Sequence, residues 1–246
     1  MFNKFSKVPI IILLLIIVLF FLKKDKETFL INDTKWINYR LGDIVYLHKG
    51  NKFDEEVPNY LKNVHKNYPD SIASEYLLKN KKRERDLDLL FDIISERIEK
   101  NNLNKEDKII LHLRIGDIIK NSKNNKIVYD KKYVNDNDSR VTKIDKLQYL
   151  LPILKEYNNE IDIYFGSHKN MDKKQNKANE KYLNLIKKFF TDNNIKYNIK
   201  SSGNPDEDFL NMCCAKLFIK SGGGYSRLIS TMVKKRKNKV IDINNL

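Results

Sequence analysis

Ile109-Ile-Leu-His-Leu-Arg-Ile-Gly-Asp117 is the stretch on which the reading of this chain turns. An apolar run, Ile109 to Leu111, meets a polar cluster of His112, Arg114, Gly116 and Asp117. That order reads as a buried strand ending in a polar turn. In an open α/β sheet, ligands bind just outside the carboxyl ends of the strands. An arginine there suits a phosphate, because its planar fork makes paired, charged hydrogen bonds. The glycine permits a tight turn or the close approach of a ligand. An ordinary turn with a surface ion pair has the same composition, so the rest of the chain must decide.

Downstream, strand and helix patterns alternate. Leu147, Leu150, Leu151 and Leu154 mark a helix, Ile161–Phe165 a strand, and Tyr182, Leu183, Ile186, Phe189 and Phe190 a second helix. Ile195–Ile199 reads as a strand. Asp206–Cys214 is a helix entered from Asn204-Pro205, and Leu217–Lys220 a strand. Ser221-Gly-Gly-Gly224 is a loop, Tyr225–Lys234 a helix and Val240–Ile243 a last strand. Such alternation predicts a parallel sheet with helices on its faces, the α/β, Rossmann-like class. Residues 120–142 interrupt it. They are polar, rich in Asn and Lys, and without period, which predicts a long loop.

Upstream, Leu87, Leu90, Phe91, Ile94 and Ile98 recur at helical spacing, so Arg85–Lys100 is an amphipathic helix. Ser71–Lys79 follows a Pro-Asp pair and reads as a short capped helix. Trp36–Tyr46 reads as a strand and turn. It contains a second Arg-x-Gly-Asp, Arg40 to Asp43, which fits a simple turn. Val8–Leu22 is apolar apart from Pro9, with Lys4 and Lys7 before it and Lys23, Lys24 and Lys26 after it. It is slightly shorter than the roughly 17–25 residues of a spanning helix. No small-residue cleavage site follows, which favours a retained single-pass anchor over a cleaved signal. Basic residues on both sides leave its orientation open; a secretory location would be of Golgi or endoplasmic-reticulum type. The expected organisation is an anchor over 1–26, a stalk over 27–35, a small α/β region over 36–105 and a Rossmann-like domain over 106–246.

The 246 residues carry a formal net charge of +15, mostly from lysine spread along the chain. Evenly spread lysine describes a solvated surface, although the excess also favours anionic ligands or a membrane surface. The two cysteines, Cys213 and Cys214, are adjacent and fall on the helix entered at Pro205. They supply neither a disulfide framework nor metal-ligand spacing. His48, His65 and His168 are scattered and show no ligand spacing either.

Ser221–Ser226 completes the chemical pattern. A strand feeds a small-residue loop that opens a helix, the layout of an anion site at a helix N-terminus. Gly222, Gly223 and Gly224 remove side-chain obstruction, leaving backbone donors. His112 reads as a support for its neighbours, and Tyr225 as packing.

Together the two segments resemble the GDP-fucose-dependent fucosyltransferase superfamily, which includes the alpha-1,2-, alpha-1,6- and peptide-O-fucosyltransferases. His112-Leu-Arg114-Ile-Gly116, with Asp117, is similar to its His-x-Arg-x-Gly donor motif. Asp208-Phe…Met212…Ala215-Lys-Leu-Phe-Ile-Lys-Ser221, followed by Tyr225-Ser226, is similar to its later Asp…Ala…Phe-Ile-x-Ser motif. The resemblance covers roughly residues 107–235. It implies a GT-B-type glycosyltransferase with a reduced N-terminal half and a nucleotide-sugar site in 106–246. Arg114 would bind the diphosphate and stabilise departing GDP, and Asp208 would contact guanine or ribose. His112, Gly116 and the Ser221, Gly222, Gly223, Gly224, Tyr225 and Ser226 loop would hold the donor. Asp117, or Asp43, would take the acceptor proton. Transfer would be inverting and need no metal or cofactor, with a nucleotide sugar as donor and a glycan or protein hydroxyl as acceptor. Asp136-x-Asp138 and Asp206-x-Asp208 are not well placed as a metal signature.

The chain departs from the family pattern where Gly223 and Gly224 replace hydroxyl residues and Ile115 replaces the second arginine of the alpha-1,2 type. A degenerate protein that binds nucleotides or glycans without transfer is therefore an alternative. A basic nucleic-acid-binding module is another, using Lys79–Arg85 and Lys234–Lys239. No aromatic stacking motif interleaves with those runs, and nucleic acid is not the expected partner.

Overall fold

A computed structural model describes Leu41 and residues 63–81, 85–103, 108–115, 119–123, 126–129, 142–157, 160–166, 173–200 and 204–246. The expected anchor and stalk lie outside these residues, as does the strand expected over Trp36–Tyr46 apart from Leu41, which is helical and buried. Among the described residues no helix is long and apolar enough to cross a membrane.

A helical stretch over 63–67 leads into two helices. α1 (Ile72–Lys79) begins where Ser71 accepts a hydrogen bond from the Ser74 N–H. α2 (Leu87–Lys100) begins where Asp86 accepts from the N–H groups of Asp88 and Leu89. Each cap satisfies donors that a helix start leaves open. Just past α2, Asn102 has a φ of 55°, and there the Leu103 N–H reaches back to the Ile98 carbonyl and the Asn102 N–H to the Glu99 carbonyl.

The sheet follows. β1 (Ile109–Arg114) is buried until its last residue, as an apolar run with both faces covered requires. β2 (Ile119–Lys123) and β3 (Lys126–Tyr129) pair antiparallel as a hairpin separate from the main sheet. This corrects the first part of the long loop expected over 120–142; residues 130–141 lie outside the described residues. The hairpin strands are short and polar, and their register slips between Ile119 and Asn121, so they carry little alternation. A 3-10 turn (Ile144–Leu150) leads into α3 (Leu151–Lys155), with Pro152 in its first turn. The helix expected around Leu147–Leu154 is thus mostly 3-10. β4 (Glu160–Gly166), α4 (Lys173–Asp192), β5 (Lys196–Lys200), α5 (Pro205–Cys213), β6 (Leu217–Lys220), α6 (Gly224–Lys235) and β7 (Lys239–Asp242) complete the chain.

The main sheet has five parallel strands in the order β5-β4-β1-β6-β7. The chain moves outward from β1 through β4 to β5, then returns to the other side of β1 to lay down β6 and β7. Strand order therefore reverses between β1 and β6. This is the Rossmann-like arrangement, and the reversal marks where such folds take their ligands.

Helices α1, α2, α5 and α6 share one continuous core with one face of the sheet. Tyr76, Leu90, Ile94, Ile110, Phe209, Phe218, Leu228 and Met232 all belong to it and are fully or almost fully buried. A hydrogen bond adds to the packing that ties the first helices to the sheet domain. The Asp206 carboxylate, at the start of α5, accepts from the Ile72 N–H at 2.7 Å. Asp206 thus caps α1 from a distant part of the sequence. Cys213 is buried and Cys214 is partly buried just past α5; both are free, and burial raises both thiol pKa values. They behave as small apolar residues.

Candidate anion-binding site

Neighbouring strands bring two sequence segments to one edge. β1 and β6 run side by side, with His112 opposite Lys220. Both end at the carboxyl edge, one in Arg114 and the other in the loop from Ser221. The connection is stitched twice. The Ser221 N–H donates to the His112 carbonyl at 3.2 Å, and the Arg114 N–H donates to the Ser221 hydroxyl at 3.0 Å. Ser221 is fully buried. Its hydroxyl sets the backbone of Arg114.

The Arg114 side chain lies against Gly223. A Cβ at Gly223 would stand 3.2 Å from Arg114 Nη1 and 3.5 Å from Cδ. Gly223 has φ +102°, a conformation that L side chains rarely adopt. It is also the N-cap of α6, where it supplies no side-chain cap. The opening N–H groups of a helix have no intrahelical acceptor and carry a partial positive charge. A guanidinium is therefore placed beside the positive end of a helix. Each is independently a good anion donor set.

His112 stands behind this pair. It is 6% exposed, and its ring packs edge-on against Tyr225 with centroids 5.7 Å apart. Burial, and then the nearby charge of Arg114, lower its pKa to about 4. The imidazole is neutral at physiological pH. Its Nδ1 is buried and has no hydrogen-bond partner among the described residues, and neither does the hydroxyl of Ser226, fully buried in the first turn of α6.

Tyr225 joins this site to α5. Its ring also packs on Phe209, at 5.5 Å, and its hydroxyl donates to the Pro205 carbonyl at 2.9 Å. Burial, followed by the negative charges of Asp208 and Asp206, holds that phenol well above its ordinary pKa. Asp208 is partly exposed on α5 and near enough to act on both Tyr225 and Tyr164. Tyr164 was not singled out from the sequence. It sits opposite His112 in β4, and a strand pattern alone gave no sign of that register. Lys220, also overlooked, ends β6 and pairs with Asp242 at 2.5 Å.

The structure thus brings His112, Arg114, Ser221, Gly223, Tyr225 and Ser226 together, with Gly222 and Gly224 in the same loop and Asp208 alongside. Gly116, Asp117 and Asp43 lie outside the described residues. Among the described residues no group of His, Cys, Asp or Glu is arranged to hold a metal ion.

Compared with protein-family models, with curated proteins and with solved structures, the chain has no match. The site must therefore be argued from its own chemistry. It offers a fixed guanidinium, helix-opening backbone donors, a neutral imidazole and a buried hydroxyl at the switch point of a parallel sheet. Such a set has the chemistry that suits a phosphate or diphosphate.

Proposed function

We propose that this chain is a glycosyltransferase that takes a sugar from a nucleoside diphosphate. The observation that carries the proposal is the contact of Arg114 with Gly223 at the point where strand order reverses. Displacing a sugar from a nucleotide builds negative charge on the departing diphosphate. Preorganised donors aimed at developing charge are usually the largest single catalytic contribution. Arg114 and the N–H groups opening α6 supply them, and Ser221 fixes Arg114 by its backbone. His112, neutral, serves as a hydrogen-bonding support and not as an acid.

The motif resemblance points to GDP-fucose as donor, to an acceptor hydroxyl on a glycan or protein, and to inverting transfer without a metal. Asp117, three residues beyond Arg114, is the proposed acceptor-side base. Asp208 is the proposed contact to the nucleoside. In this reading the chain is a reduced GT-B-type enzyme held at a membrane by Val8–Leu22.

A nucleotide-sugar screen by thermal shift, followed by assay of GDP-fucose turnover without added divalent metal, tests this function. Stabilisation by GDP and GDP-fucose above other nucleotides, with metal-free release of GDP, is expected. Stabilisation by none of them, or full dependence on manganese, would remove the proposal.

A further inference from the structure

A second opening lies between the start of α5 and helices α1 and α2, with a volume of about 510 Å³. That is within the usual size of small-ligand sites. Two of its walls present the same pair of groups. Asn67 and Asp70 stand in the segment leading into α1, and Glu207 and Asn211 stand one turn apart on α5. Asn67, Asp70 and Glu207 are exposed and Asn211 is partly exposed, and none of the four side chains has a hydrogen-bond or ion-pair partner among the described residues. Buried Tyr68 and Leu210 add an apolar surface.

Its charge is opposite to that of the chain. Three carboxylates, those of Asp70, Asp206 and Glu207, line it against one cation, Arg97. That cation is already committed, donating from Nε and Nη2 to Glu75 at 2.9 and 2.8 Å. The Asp206 carboxylate is engaged by the Ile72 N–H. Among the described residues, what remains open to a ligand is one carboxylate and one carboxamide on each of two walls. Carboxylates only accept and carboxamides both donate and accept, so each pair matches neighbouring hydroxyl groups. An anionic ligand would meet repulsion from the carboxylates.

We propose that this cleft binds a neutral saccharide. On the transferase reading above, on which this assignment of role rests, it is the acceptor side. Pro205 stands between the two sites, with Asn204 and Asp206 lining the cleft and the Pro205 carbonyl holding Tyr225 of the anion loop.

The test uses the full-length chain on an array of neutral oligosaccharides with their sialylated and sulfated counterparts. Two double variants accompany it, Asn67→Ala/Asp70→Ala and Glu207→Ala/Asn211→Ala, each with its thermal shift by GDP measured in parallel. Retention of neutral glycans, weakened about tenfold or more by either double variant with the GDP shift unchanged, is expected. Retention of no glycan or of anionic glycans only, undiminished retention by either variant, or displacement of the glycan by spermidine or magnesium would overturn the proposal. Loss of the GDP shift in the unmodified chain, with glycan retention intact, would instead remove the donor reading and leave the cleft assignment standing.

Discussion

The Arg114 guanidinium and the α-carbon of Gly223 are neighbours, so close that a methyl group at Gly223 would meet Nη1 at 3.2 Å. Arg114 ends β1 and Gly223 caps α6, more than a hundred residues later. Strand pairing alone makes them adjacent. The contact unites the two motifs.

Gly223→Ala imposes two penalties. The residue must hold φ +102°, and its Cβ must push the guanidinium aside. A non-glycine residue in such backbone costs about 1–3 kcal/mol. For a chain of this size that lowers the melting temperature by about 3–10 °C. GDP affinity should fall as well, since Arg114 loses its position. Differential scanning fluorimetry with and without GDP reads both effects. An unchanged melting temperature would mean that the loop adopts another conformation.

Ser221 and Ser226 should separate stability from binding. Ser221→Ala leaves the Arg114 N–H without the acceptor it has at 3.0 Å, in a buried setting. An orphaned buried donor costs about 1–3 kcal/mol. The Ser226 hydroxyl has no partner among the described residues, so Ser226→Ala should change stability by less than about 0.5 kcal/mol while weakening GDP binding. Urea unfolding gives the first quantity and calorimetric titration the second. Equal destabilisation by both substitutions would contradict the assigned roles.

Asp206 joins α1 to α5. Asp206→Ala removes the acceptor of the Ile72 N–H and a carboxylate 4.0 Å from Arg97. The loss should be about 1–3 kcal/mol, and should fall first on α1. Hydrogen exchange at Ile72 and its neighbours measures it directly. Protection retained in the first turn of α1 would show that another group caps it.

The pH dependence of stability follows from His112. Its folded pKa is about 4, below the ordinary 6.5, because burial and Arg114 disfavour the charged ring. Between those values the unfolded chain binds the proton and the folded chain does not. His112 therefore contributes nothing unfavourable above about pH 6.5, and stability is lost as pH falls from there towards about 4. The full loss is on the order of 3 kcal/mol. His112→Gln should flatten the slope of unfolding free energy over that window. A slope equal to that of the unmodified chain would show that other groups carry it.

The parallel sheet was readable from the chain because its central strands β1 and β6 are buried and so appear as apolar runs. β1 and β6 were found to within a residue, and Asn204-Pro205 marked the start of α5 through the Asn204 cap on the Asp206 N–H. The β2–β3 hairpin was not readable, since Lys120, Asn121, Ser122 and Lys123 give no alternation. Strand order was equally hidden. Nothing local says that β6 lies beside β1, yet that adjacency is what makes Arg114 and Gly223 one site. The Asp206 contact to Ile72 spans 134 positions and was invisible for the same reason. The cleft beside α5 has no motif at all, because its four polar groups come from separate segments.

Calorimetric titration of GDP into the full-length chain and into Arg114→Ala tests the central claim most directly. Micromolar-range binding is expected for the unmodified protein. It should weaken by at least about thirtyfold in the variant, equivalent to about 2 kcal/mol, with the fold unchanged by circular dichroism. Equal affinity in the two proteins, or no binding to the unmodified chain at millimolar GDP, would contradict it.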